Sequence, residues 1–357
     1  VKGIDRIMFL QSISNYRALA IMMIVSVHVY PYGLENTTGY LSVIKNLLSN
    51  STALFVFISG FMFHHVFMRN YNYKKFIKSK LERVFSPYLF LSTLAIALLF
   101  ITNNGYFSEN FYDSDTRFFS SSDSSFITIV KYYLTGRMLT AYWYIPFAIL
   151  LFVCAPLHRK YGLLSMNKQI AIFLLFSIVS LFVHRSMGNI NPFQMLIYFT
   201  PFYLLGILFS KNREVLTRNS LSRGLILMAL TVLLAIYQYS VGHQGNYIKP
   251  LFQYGGVDIM FIQKIFMATS LYYLLDALSF KNKCVDYVSD VSFAIYFLHP
   301  WVLTILKRLP FELQIPTVDV FKYFLVFAFV IISSVFIAIF THKILNSVIR
   351  TKYIIGY

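Results

Sequence analysis

A chain of 357 residues that is 57% hydrophobic, 18% aromatic and only 13% charged, with a mean hydropathy of +0.63, is too apolar for a water-soluble domain. The net charge of +17 first points to nucleic acid, but the Lys and Arg stand in short clusters between long apolar runs, as in the loops of a polytopic membrane protein, which argues against a nucleic-acid partner. Cys154 lies inside an apolar run and Cys284 in a basic loop, so no disulfide framework can be read.

Ten segments approach the roughly 20 apolar residues that a helix needs to cross a hydrocarbon layer about 30 Å thick. They are residues 15–33, 50–69, 85–103, 141–157, 168–185, 193–209, 222–240, 257–280, 289–309 and 321–342. The first is long, has no small-residue cleavage site behind it and runs into "YGLENTTGY", the mark of a retained helix and not of a cleaved signal peptide. With the N-terminus in the cytoplasm, 21 of the 31 Lys and Arg fall on inner segments, 9 fall outside and Lys264 lies within a helix. That asymmetry predicts N- and C-termini that are both cytoplasmic. Residues 103–140, polar, Ser-rich and acidic, make the one long extracytoplasmic loop, which composition reads as flexible or as a cover over an outer cavity. No internal repeat or Pro-rich linker interrupts the pattern. The expectation is an all-α polytopic membrane helix bundle of about ten transmembrane helices, with residues 1–357 forming a single domain and no fused soluble one.

Five stretches carry chemistry. In "NYRALAIMMIVSVHVYP", residues 15–31, Arg17 and His28 are eleven positions apart, which puts them within about 20° of one helix face and about 16 Å apart along it. Arg17 lies near the inner boundary, where it can also snorkel to lipid phosphates. His28 lies at or beyond the midplane, where an ionisable group costs roughly 2.5 kcal/mol or more unless it faces a hydrated cavity or a polar helix contact. In "LFVFISGFMF", residues 54–63, Ser59 and Gly60 allow close helix approach, and the hydroxyl can bond a neighbouring helix or a ligand. The basic stretch "KKFIKSKLERVFSPYLF", residues 74–90, suits anionic lipid heads or a polyphosphate ligand, with Lys80 and Arg83, closest to the next helix, as the ligand candidates. "AYWYIPFAILLFVCAPL", residues 141–157, sets Tyr142, Trp143 and Tyr144 at the outer interface, either as an aromatic belt or with Trp143 stacked on a sugar. "SDVSFAIYFLHPWVL", residues 289–303, places His299 before Pro300, with Tyr296 on the same face. No metal site is expected: His64 and His65 are adjacent and diverge on a helix, and no carboxylate or cysteine accompanies them at ligand spacing.

Taken together, Arg-x10-His in the first helix, Ser-Gly-Phe in the second, "KLERVFSPYLF" opening the third, "WYI" at the fourth, "FYLLG" at 202–206 and "SFAIYFLHP" in the ninth resemble the acyltransferase-3 family of bacterial integral-membrane acyltransferases. The resemblance runs over nearly the whole chain. It implies a multi-pass protein of the bacterial cytoplasmic (inner) membrane that moves an acyl group, usually acetyl from cytoplasmic acetyl-CoA, to a hydroxyl of a carbohydrate at or beyond the outer face. O-antigen, capsule, exopolysaccharide or a lipid-linked precursor would be such an acceptor. It also implies that Arg17 and His28 are the functional pair. The residues fit this transfer: Arg17, Lys80 and Arg83 offer donors to CoA phosphates, and His28 can act as general base or as a transient acyl carrier. Ser59, Trp143, Tyr296 and His299 are the candidates for the acceptor. The chain closes on "RTKYIIGY" where some relatives continue into a soluble esterase-like domain, so transfer is expected to finish on the membrane domain or with a separate polysaccharide-assembly partner. Membrane lipids are the other expected partners. The competing class, a transporter or flippase of a lipid-linked sugar, tends to have paired inverted halves with Gly- or Pro-broken helices, and none are visible.

Overall fold

Each of the ten predicted segments falls on a helix in the computed structural model, which describes residues 10–35, 37–102, 118–120, 123–308, 318–345 and 350–357. Part of the predicted extracytoplasmic loop, residues 103–117 and 121–122, and the cations Lys2, Arg6 and Arg117 lie outside the described residues. In chain order the helices are α1 (Gln11–His28), α2 (Tyr40–Leu48), α3 (Thr52–Met62), α4 (Tyr73–Lys80), α5 (Ser86–Thr102), α6 (Ser125–Thr135), α7 (Tyr144–Val153) and α8 (Ala155–Leu163). There follow α9 (Met166–Val183), α10 (Pro192–Lys211), α11 (Arg213–Leu216), α12 (Ser220–Ser240), α13 (Ile259–Ala277), α14 (Lys283–Asp290), α15 (Ser292–Arg308) and α16 (Val320–Leu345). Among the described residues the only sheet is a pair of two-residue parallel strands, β1 (Arg185–Ser186) and β2 (Ile248–Lys249).

Side-chain oxygens fix several helix starts by accepting from orphan backbone N–H groups. Asn72 caps α4, Ser124 caps α6, Asn191 caps α10 with Pro192 at its first position, Asp258 caps α13 and Asn282 caps α14.

Six helical stretches are long and apolar enough to cross a membrane: Tyr40–Phe67, Tyr73–Leu99, Met166–Val183, Pro192–Lys211, Ser220–Ser240 and Val320–Leu345. A seventh results if α14 and α15, bent by 75° where they meet, are one span. The count among the described residues is therefore six or seven where the sequence predicts about ten, and the reasons are visible. The first half of α1 carries Gln11, Ser12, Ser14, Asn15 and Arg17, and α13 carries Gln263, Lys264 and Asp276. The segment 141–157 breaks at Cys154, ahead of Pro156, which leaves α7 only 10 residues long.

That polarity is accommodated by position. In the best apolar window of α10, 78% of the residues are buried inside the protein, against 11% for α9, so α10 is an interior helix and α9 an outer one. The exposed faces of α9 (Leu174, Leu175, Ile178) and α16 (Phe324, Ile332, Phe336) are apolar surface suited to lipid. Helix α1 packs among α3, α13, α14, α15 and α16, with Ile21 and Val25 fully buried. Lys264 of α13 is buried too, and its ammonium donates to the Leu47 carbonyl near the end of α2, where the helix dipole is negative.

The close approach expected at Gly60 is made against α10. A Cβ on Gly60 would stand 2.0 Å from the Tyr203 carbonyl oxygen, and one on Gly206 would stand 2.0 Å from that of Phe57. Neither backbone can yield, so the two glycines set the α3–α10 crossing. Gly206→Ala is expected to destabilise the protein by about 2 to 3 kcal/mol, seen as a lower thermal unfolding midpoint in detergent. An unchanged midpoint would mean that the crossing adjusts freely.

Candidate active site

His28 is the last residue of α1, with Pro31 in the short 3-10 turn that follows. Its ring is half-buried, and its Nδ1 lies 2.9 Å from the Thr140 hydroxyl. Thr140 arrives there by a local device. Helix α6 ends on Gly136 in the left-handed region, φ +68°, where a Cβ would meet the Tyr142 carbonyl oxygen at 2.3 Å. The turned chain then runs from Arg137 to Thr140 along the His28 side. It is pinned to α15 twice, by the Tyr296 hydroxyl donating to the Ala141 carbonyl and by the Tyr142 hydroxyl donating to the Phe297 carbonyl at 2.8 Å.

Three cavities meet at His28. The widest, about 430 Å³, is lined by Arg137, Thr140, Asn189, Thr304 and Lys307 among others. A polar side cavity of about 130 Å³ is lined by Asn50, Ser51, Thr52, Arg185, Asn189 and Asn246 as well as by apolar groups. The third, about 10 Å³, is a slit toward Ile24, Phe55, Tyr144 and Tyr296. His28 and Trp143 border all three. Trp143 is therefore a wall of all three cavities. Its ring lies 4.7 Å from the Arg185 guanidinium and stacks near Phe147 and Phe199.

At the other end of α1, Arg17 Nη2 donates to the Ser292 hydroxyl at 3.1 Å, and the Asp290 carboxylate is within electrostatic range. Lys80 is close enough to feel the charges of both Arg17 and Arg83. Its ammonium sits over the rings of Phe67, Phe76 and Phe152, at 5.5, 5.3 and 4.8 Å. Arg83 is exposed. The three cations predicted as phosphate donors thus form one cluster. The segment 350–357 packs beside it through a Lys352–Glu82 ion pair and a 2.9 Å bond from the Ser86 hydroxyl to the Tyr353 carbonyl. Among the described residues no group of His, Cys, Asp and Glu could hold a metal ion.

Two of the predicted acceptor residues are not brought to the cavities. The Ser59 hydroxyl bonds back to the Phe55 carbonyl of its own helix at 2.9 Å, and Ser59 lines none of the three. His299 is fully buried behind His28, ring centroids 5.4 Å apart, with Nδ1–H donating to the Ile295 carbonyl at 2.9 Å. That bond fixes the proton on Nδ1 and leaves Nε2 as an acceptor with no protein partner. Tyr296 borders the slit, but its hydroxyl is engaged at Ala141.

Sequence reasoning missed Arg185 and Thr140. Arg185 stands at the very end of a predicted span and counts there as one more outer cation. The pairing of β1 with β2, with Arg185 N–H donating to the Tyr247 carbonyl at 3.2 Å, turns it inward, where it is only 5% exposed.

A family model described as an acyltransferase domain, that of the acyltransferase-3 family, matches residues 10–343. No curated protein and no solved structure matches the chain.

Proposed function

The chain belongs to the acyltransferase-3 family of membrane acyltransferases, and from that premise we propose that it transfers an acetyl group from cytoplasmic acetyl-CoA to a carbohydrate hydroxyl beyond the outer face of the bacterial cytoplasmic membrane. The observation that carries this reading is a single helix, α1, with a cation cluster at one end and, about 16 Å along it, a histidine at the junction of three cavities.

The chemistry follows from what each end offers. CoA phosphates meet Arg17, Lys80 and Arg83, where forked and point-charge donors give charge-assisted hydrogen bonds. The thioester extends along the α1 face toward the slit at Ile24 and Phe55. The acceptor enters the wide cavity beside Thr140 and Lys307. In the tautomer that serves as base, His28 Nδ1–H donates to the Thr140 oxygen and Nε2 keeps its lone pair. Nε2 takes the proton of the acceptor hydroxyl as its oxygen attacks the thioester carbonyl. The C–S bond breaks, the new C–O ester forms, and the imidazolium returns its proton to the leaving thiolate. Attack by Nε2 itself, with the acyl group held briefly on the ring, uses the same atoms. The acceptor is an oligosaccharide of a surface or exported polysaccharide, free or lipid-linked.

Sidedness tests the reading. In a background with Cys154 and Cys284 replaced, an impermeant thiol reagent added outside is expected to label Thr140→Cys and not Lys78→Cys. Reversed labelling would put the cation cluster outside, away from cytoplasmic CoA, and defeat the proposed direction.

Trp143→Ala separates the two substrates. The indole borders every cavity at His28 and holds Arg185 by a cation–π contact, an interaction worth about 0.5 to 2 kcal/mol. Glycan acylation is expected to fall about tenfold, with acetyl-CoA affinity changing less than about twofold, since each tenfold corresponds to about 1.4 kcal/mol. Equal losses in both would make Trp143 a support of the fold only.

A further inference from the structure

Arg185 is a buried cation short of partners. Its Nη2 donates to Asn189 at 2.9 Å and its Nη1 makes a long bond to Asn50 at 3.4 Å, while Nε has no partner. Among the described residues no carboxylate is within ion-pairing distance. Asp258 is within electrostatic range, but one of its oxygens caps α13 and it lines none of the cavities at His28. A cation held this way is strongly disfavoured unless something brings it an anion.

The surroundings have the same bias. Asn246 faces the 130 Å³ cavity with an Oδ1 that also lacks a partner, and a flip of that amide presents two N–H donors in its place. Arg137 and Lys307 line the adjoining 430 Å³ cavity, and among the described residues no Asp or Glu lines either cavity. A space of about 130 Å³ holds several water molecules, or a carboxylate or phosphate group in their place. The guanidinium fork matches either oxyanion.

We propose that the cavity between Arg185 and Asn246 is a subsite for an anionic group on the acceptor, so that the carbohydrate acylated at His28 is an acidic one, bearing a carboxylate or a phosphate. The inference rests on the acyl-transfer reading for its meaning but not for its test. Arg185 acts on acceptor choice: seated under Trp143 at the edge of the cavities, it holds the anion while a hydroxyl of the same sugar lies at His28.

The test is a titration of the purified full chain, in detergent or nanodiscs, with three probes: methyl glucoside, methyl glucuronide and glucose 6-phosphate. At least one anionic sugar is expected to bind tenfold or more tighter than the glucoside, and the tighter of the two names the source of the charge. Arg185→Gln should erase the preference. Should that variant not fold, Asn246→Asp, on a partly exposed loop, is expected to erase it as well by setting a carboxylate against the anion. Binding of all three probes within twofold, no measurable binding of either anionic sugar, or a preference that survives both substitutions overturns the subsite. Labelled acetyl transfer to matched neutral and acidic oligosaccharides is read separately. Anion preference without transfer to any acceptor would defeat the acyl-transfer reading and leave the subsite standing; equal transfer to neutral and acidic acceptors would defeat the subsite alone.

Discussion

His28→Ala is expected to lower acyl transfer by at least about a hundredfold, the lower range of what a positioned acid–base group contributes, while membrane level and thermal midpoint stay near those of the parent. Fold and chemistry separate cleanly here because His28 ends α1, is only half-buried and hydrogen-bonds through its ring to Thr140, an exposed residue. Removing the ring leaves no buried donor stranded. Thr140→Val is the companion variant: it keeps the imidazole but removes the group that holds Nδ1, and the expected loss is smaller, about tenfold. A His28→Ala protein with near-parental product would take His28 out of the mechanism and leave the three cavities without a base.

Arg17→Gln is expected to weaken acetyl-CoA binding about ten- to a hundredfold, the measure of one lost charge-assisted hydrogen bond worth about 1.5 to 3 kcal/mol. Arg17→Lys should fall between, because a point charge replaces a planar fork. Titration of purified protein with acetyl-CoA reads both. The competing role, an anchor of α1 to α15 through Ser292, has its own control. Ser292→Ala removes that anchor and should leave CoA affinity within about twofold, since it frees a donor without removing the charge. Unchanged affinity in Arg17→Gln would reduce Arg17 to the anchor.

The helices were legible because lipid demands long apolar runs, and each predicted run is helical. What the runs could not tell was which helices the lipid sees. Helix α1 is polar in its first half because it is surrounded by other helices, and the break at Cys154 shortens α7 in a way that only its proline foreshadows. The pair Arg17 and His28 stood out because ionisable groups in an apolar run need a reason. Trp143 and Tyr296 meet at the cavities with His28, although the Tyr296 hydroxyl is engaged elsewhere. Ser59 lines none of the cavities at His28, and its hydroxyl is satisfied on the preceding turn, as a helix-interior serine can be. His299 shares a helix face with Tyr296, yet it packs behind His28, where spacing along one helix says nothing of depth from another. Arg185 was out of reach altogether. Its burial depends on a two-residue strand pairing with a segment far along the chain, and its neighbour Trp143 comes from a third region.

The most direct measurement uses inverted membrane vesicles carrying the protein or its His28→Ala variant, supplied outside with acetyl-CoA labelled in the acetyl group. The account predicts base-labile label appearing on carbohydrate in the vesicle lumen with the parental protein and none above background with His28→Ala. Label that appears equally with both, or fails to appear with either when the lumen holds the acidic glycan, would contradict the transfer of acetyl groups across the membrane at His28.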